Sequence, residues 1–242
     1  TDGDIHGFCV GEPWNTLAVQ QQIGHVVATK YQLWNNSPEK VFAVSESWSK
    51  ENPATHQALL RALIKACIWL DKKENRRLTA KIISQAAYIA LPEETVALSL
   101  MGSSLKHHGL PPEKVEDFHV FHRYSANFPW LNHAEWFISQ MYRWGQLTTP
   151  VNIEETVAAV YKPGLFRIAA AALGIESPSI DRKTEGNLHE KMMLTKSQHI
   201  GPNQFLDGQI ISVGGIIKYL EKQNLSKADI PALRLINAQK EV

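Results

Sequence analysis

Between Gly7 and Thr29 the hydrophobic pattern changes twice, and that alternation restricts the fold more than any other stretch. Gly7-Phe8-Cys9-Val10 is a short apolar run, and HVVAT at His25–Thr29 is a second. Between them PWNTLAVQQQ puts Pro13 where a first helical turn tolerates it. Short runs rich in Val or aromatic residues, bounded by turn-formers, predict strands. The order is therefore strand, tight turn, helix, strand, a βαβ-like piece of an α/β fold. KVFAV at Lys40–Val44 is a third run of the same kind.

From Asn52 the period lengthens. In NPATHQALLRALIKACIWLDKK the residues Leu59, Leu60, Leu63, Ala66, Cys67 and Leu70 recur at helical spacing, with Asn52 as N-cap and Pro53 in the first turn. Arg76–Ile89 and Pro92–Leu105 repeat the pattern more weakly. Residues 107–130 form a loop-like segment rich in His, Pro and aromatic residues. Asn132 and Glu135 make a capping-box-like pair at the start of a helix that groups Trp136, Phe137, Gln140, Met141 and Trp144 on one face and stops at Gly145. Ile153–Tyr161 and Leu165–Leu173 read as helices, 176–215 shows no period, Gly214–Gln223 is a short helix, and the tail is polar. The architecture expected is α/β, helix-rich, with strands concentrated early.

A net charge of +1, from 25 basic and 24 acidic side chains, offers no basic face for nucleic acid or an anionic membrane. No run approaches the ~20 apolar residues that span a bilayer. Cys9 and Cys67 read as buried free thiols. The opening TDGDIH has no Met, no basic segment and no apolar leader, and reads like a turn within a longer protein.

Sites of chemistry are few. No nucleophile elbow, GxGxxG or Walker A motif is present. His119 and His122 are spaced i, i+3, but packing beside Phe118, Phe121 and Tyr124 explains them better than a metal. Gly214-Gly215 serves as a turn before a helix. GEPWN is different, because ligands in α/β sheets sit beyond strand ends where helix N-termini present free N–H groups. Gly11 permits a tight turn, Pro13 starts a helix and Trp14 offers a flat face. On the residues alone, this stretch is equally a simple turn with Trp14 in the core and Glu12 favoured by the helix dipole. Lys40 in SPEK stands at a strand entrance, where a lysine is usually solvated.

Longer strings carry a resemblance. GFCVGEPWN, HVVATKYQLWNNSPEKVFAVSESW, NPATHQALLRALIKACIWLD and FHRYSANFPWLNHAEWFISQMYRWGQL resemble the nitrate-, nitrite- and bicarbonate-binding proteins of bacterial ABC transporters. The resemblance implies a type II periplasmic-binding-protein fold of two lobes, with the N-terminal part missing from this chain. Residues 1–30 would end one α/β lobe, 31–150 would form the crossover and helical part of the other, and 151–242 a helical and irregular wrapping segment. It implies a ligand site at Lys40, Trp14, Glu12 and Gly11, with no metal, cofactor or catalytic group. Lys40 favours nitrate or nitrite, since bicarbonate binders carry an acid there that helps hold a cation. Glu12 is expected to face backbone amides or a basic residue of the other lobe. FPWLNHAEWFISQMYRWGQ is similar to the cytoplasmic nitrate/nitrite sensors, which implies an RNA-binding antiterminator as partner. The alternatives are the extracytoplasmic receptor of an importer, docking on an ABC permease, and an enzyme that reuses the fold.

Overall fold

The computed structural model describes residues 5–187, 194–196, 198–223 and 230–238. Eleven α-helices dominate them: α1 Trp14–Gln20, α2 Lys30–Leu33, α3 Glu46–Glu51, α4 Pro53–Asp71, α5 Lys73–Ile83, α6 Glu93–Leu100, α7 Leu131–Arg143, α8 Ile153–Val160, α9 Pro163–Ala171, α10 Ile216–Glu221 and α11 Ile230–Ala238. The described strands are β1 Ser103–Ser104 and β2 Glu113–Lys114, an antiparallel pair.

The three runs predicted as strands do not form ladders. Residues 7–10, 25–29 and 40–44 are extended or irregular, largely exposed, and have no ladder partner among the described residues. Val27 is 86% and Val41 64% exposed. Branched side chains favour extended backbone, but a strand exists only where a neighbour accepts its hydrogen bonds. The helix between the first two runs forms as expected, starting at Trp14 with Pro13 as N-cap.

Three apolar clusters hold the helices. Leu131, Ala134, Ile138 and Tyr142 of α7 pack with Ile153 and Val157 of α8, Ile216, Tyr219 and Leu220 of α10, and Leu233 of α11. Ile64 of α4 meets Phe166, Ala169 and Ala170 of α9, with Phe128 and Trp130. Ala80 of α5 packs with Val96, Ala97 and Leu100 of α6. The buried face of α7 is not the expected one. Phe137, Met141 and Trp144 are exposed, and Trp136 and Gln140 are partly buried. Asn132 does not cap α7; its side chain turns to Lys183 and Glu185. The polar-looking tail contributes α11, and Cys9 is exposed rather than buried while Cys67 is partly so; both are free thiols.

The His-rich loop is stitched to the end of α4. The Asp71 carboxylate accepts the N–H of Phe121 at 3.0 Å and of His122 at 2.7 Å, and pairs with Arg123 at 2.7 Å. Arg76, buried, donates to the carbonyls of Leu70, Leu100 and His119. His119 stacks on Phe121 and leans on Phe118, as the packing reading expects. Burial, reinforced by Arg76 and Lys30, pushes its imidazole down to about 4. The unfolded chain then binds a proton that the folded chain refuses. Stability is full above pH 6.5 and falls as pH drops toward 4. A loss of about 3 kcal/mol across that window is expected from denaturation midpoints. His119→Phe should flatten the slope, and a slope unchanged by the substitution would contradict the assignment.

Candidate functional site

The turn after the first apolar run is a built structure. Trp14 N–H donates to Gly11 O at 3.2 Å, and Asn15 Nδ2 donates to Val10 O at 2.8 Å, closing the chain onto the start of α1. The Glu12–Pro13 peptide is cis. Glu12 Oε2 accepts the Thr16 N–H at 3.2 Å, so its charge faces a helix N-terminal amide. Helix α1 buries Thr16, Ala18 and Val19. The Trp14 indole stays 47% exposed, so it is a free face rather than a core residue.

Lys40 reaches this turn from a second segment. The capping box of α2, with the Thr29 N–H on Gln32 Oε1 at 2.9 Å, starts a single helical turn. Trp34 then plunges into a cage of aromatic rings, with Trp136 at 4.8 Å and Phe205 at 4.7 Å between centroids. The backbone is buckled to the segment 202–206: Leu206 N–H to Leu33 O at 2.9 Å, Asn35 N–H to Gln204 O at 3.0 Å, and Asn36 Nδ2 to Pro202 O at 2.8 Å. Asn36 adopts φ 49°, a left-handed turn that Asn tolerates. Pro38-Glu39-Lys40 follows, and a Cβ placed on Gly11 would lie 3.9 Å from Lys40 Nζ.

Of the four residues expected from sequence, the structure thus brings Gly11 and Lys40 together, with Trp14 and Glu12 on the same turn as Gly11. It adds two that sequence reasoning passed over. Glu39 Oε1 lies 2.5 Å from Lys40 Nζ, and its other oxygen pairs with Lys30. Lys30 Nζ also donates to Pro38 O at 3.3 Å. Hydrogen bonds from Lys30 and then Lys40 hold the Glu39 carboxyl below its ordinary value. The spacing Lys30…Glu39-Lys40 gives no local signal, because a nine-residue separation becomes a contact only through the Trp34 buckle.

A second charged group lies deeper. Glu185, 1% exposed, pairs with Lys183 and accepts from Asn132 and, at 2.6 Å, from Asn203 Nδ2. Burial works to raise its carboxyl, but Lys183 and His133 hold it down to about 2. Burial lowers both Lys183 and His133. These groups satisfy one another, so their arrangement is a staple between α7 and the segment 183–187. Among the described residues no three His, Cys, Asp or Glu side chains gather as for a metal, and no helix is long and apolar enough to cross a membrane.

Comparison with known proteins gives these features a context. The model of the NMT1-like family matches residues 1–84. The nitrate import ATP-binding protein NrtC of Synechocystis sp. (strain ATCC 27184 / PCC 6803 / Kazusa) is 33% identical over 199 residues, covering 82% of this chain and 30% of that protein. The nitrate/nitrite binding protein NrtA of Nostoc sp. (strain PCC 7120 / SAG 25.82 / UTEX 2576) is 32% identical over 176 residues, covering 73% of this chain and 40% of that protein. The crystal structure of the periplasmic nitrate-binding protein NrtA from Synechocystis PCC 6803 matches with a TM-score of 0.76 at 28% identity, covering 90% of this chain and 53% of that one. The fold is that of the helix-rich binding protein, over about half of its length. The chain spans less than half of these curated relatives. None of the three is a cytoplasmic sensor, so the sensor reading, with its antiterminator partner and cytoplasmic location, has no support beside the importer reading.

Proposed function

We propose, from the premise that this chain belongs to the nitrate- and bicarbonate-binding protein family over part of that fold, that it forms one side of an anion site in the solute-binding component of an ABC importer. The ligand is nitrate or nitrite, held without chemical change. The approach of Lys40 Nζ to the side-chain-free face of Gly11 carries this reading. A planar, weakly basic monoanion suits one ammonium, nearby N–H donors and an aromatic wall, and Trp14 offers such a wall. Glu12, being engaged with the Thr16 amide, is a shaping residue rather than a direct contact. Names of relatives that include a periplasmic protein and an import ATPase support an extracytoplasmic receptor that docks on a permease. The exposed extended runs 7–10, 25–29 and 40–44 are surfaces that a further part of the fold would cover, completing the cleft.

The test is calorimetry of nitrate on the full-length protein. Lys40→Ala should weaken binding by about 1–3 kcal/mol, the range for a hydrogen bond to a charged group. Unchanged affinity would remove Lys40 from the site.

A further inference from the structure

Lys40 is not a lone cation. It belongs to a three-residue charge cluster in which one carboxylate, Glu39, is gripped by Lys40 on Oε1 and by Lys30 on Oε2. Two ammonium groups and one carboxylate leave the cluster with a single net positive charge. Among the described residues, these three side chains form ion pairs only with one another. The Lys40 side chain is 84% exposed and Glu39 56%, and Lys40 Nζ lies 3.9 Å from where a Cβ on Gly11 would stand.

We propose that Glu39 tunes the ligand-valence preference of the site: it leaves Lys40 able to hold a monoanion and penalises a dianion twice as strongly. This rests on the reading of Lys40 as an anion contact. An ammonium has three N–H donors, and Glu39 occupies one of them, so an oxyanion can take another without displacing it. The Glu39 charge then stands beside the bound anion. Coulomb repulsion scales with the product of the charges, so a dianion meets twice the repulsion that a monoanion meets at the same place. Glu39 stays ionised through neutral pH, because its two lysines hold the carboxyl below its ordinary value.

Glu39→Gln removes the charge and keeps the shape and one oxygen acceptor for a lysine. The free-energy gain for sulfate should be twice that for nitrate, so the affinity gain should be squared. Solvent screening keeps the first factor modest: about threefold tighter for nitrate and about ninefold for sulfate. The experiment is calorimetry on the full-length protein and on its Glu39→Gln and Lys40→Ala variants, with sodium nitrate and sodium sulfate at constant ionic strength. A larger gain for sulfate than for nitrate supports the proposal. Equal gains, no gain, or weaker nitrate binding overturn it, the last because Glu39 would then be holding Lys40 in place. If Lys40→Ala weakens nitrate while Glu39→Gln changes nothing, the anion site stands and the valence filter falls. If Lys40→Ala also changes nothing, or the unsubstituted protein binds no nitrate, both fall together.

Discussion

Glu185→Ala is expected to destabilise the protein by about 3–5 kcal/mol, the usual loss when one partner of a buried ion pair is removed. The side chain is 1% exposed and its partner Lys183 only 7%. Without Glu185, the Lys183 ammonium keeps its burial and loses the carboxylate that offsets it. Asn132 Nδ2 loses its acceptor as well, and Asn203 Nδ2 keeps only Thr184 O. Ionic attraction alone does not carry this effect, so a double substitution separates the causes. Replacing Glu185 and Lys183 together with Leu and Met removes both charges, and most of the loss should return. The pH dependence has a fixed sign. The folded carboxyl sits at about 2, below its ordinary 4.5. Its contribution is therefore complete above pH 4.5 and disappears as pH falls toward 2. Urea denaturation of the three proteins at neutral pH checks the claim. A single-variant loss below about 1 kcal/mol would show that the pair is not what holds α7 to the segment 183–187.

That staple also explains what could and could not be read from the residues. Helix α4 was legible because its apolar period and its Asn52-Pro53 start agree, and both are local. The extended runs were legible only as tendency; Val27 and Val41 state a backbone preference, and a ladder needs a neighbour that propensity does not name. Helix α7 carries large aromatic residues, Trp136, Phe137 and Trp144, beside the stripe of Leu131, Ala134, Ile138 and Tyr142 that meets α8 and α10, so grouping by its aromatic residues points to the wrong face. The described residues between 176 and 215 look featureless in sequence because side chains bonded to backbone hold them, as Asn203 does to Thr184 O at 2.9 Å and Gln198 to Glu176 O at 2.6 Å. No periodicity records such bonds. At the candidate site, Gly11 and Lys40 were legible one at a time, through chemistry and through resemblance. Lys30 and Glu39 were not, since their meeting depends on a turn buckled to a segment some 170 residues away in sequence.

Trp34→Ala is the substitution that should lose most in both stability and binding, because this ring is the anchor of that turn. Trp34 is 6% exposed and packed between Trp136 and Phe205, with His133 edge-on at 6.1 Å. Truncating a buried Trp costs about 3–5 kcal/mol in lost transfer energy and residual cavity. The backbone bonds that buckle residues 33–36 to 202–206 flank the same ring, so a cavity there loosens the path that delivers Lys30, Glu39 and Lys40. Trp34→Phe separates packing from polarity. The buried indole N–H has no hydrogen-bond partner, so removing it forfeits no bond. A phenyl ring fills most of the cage, and a loss below about 1.5 kcal/mol is expected. Thermal denaturation should therefore rank the native protein slightly above Trp34→Phe and far above Trp34→Ala. Nitrate affinity, measured on the folded fraction at low temperature, should follow the same order. Native-like nitrate affinity in Trp34→Ala would mean that the lysine cluster holds its own position and that the Trp34 cage serves the core alone.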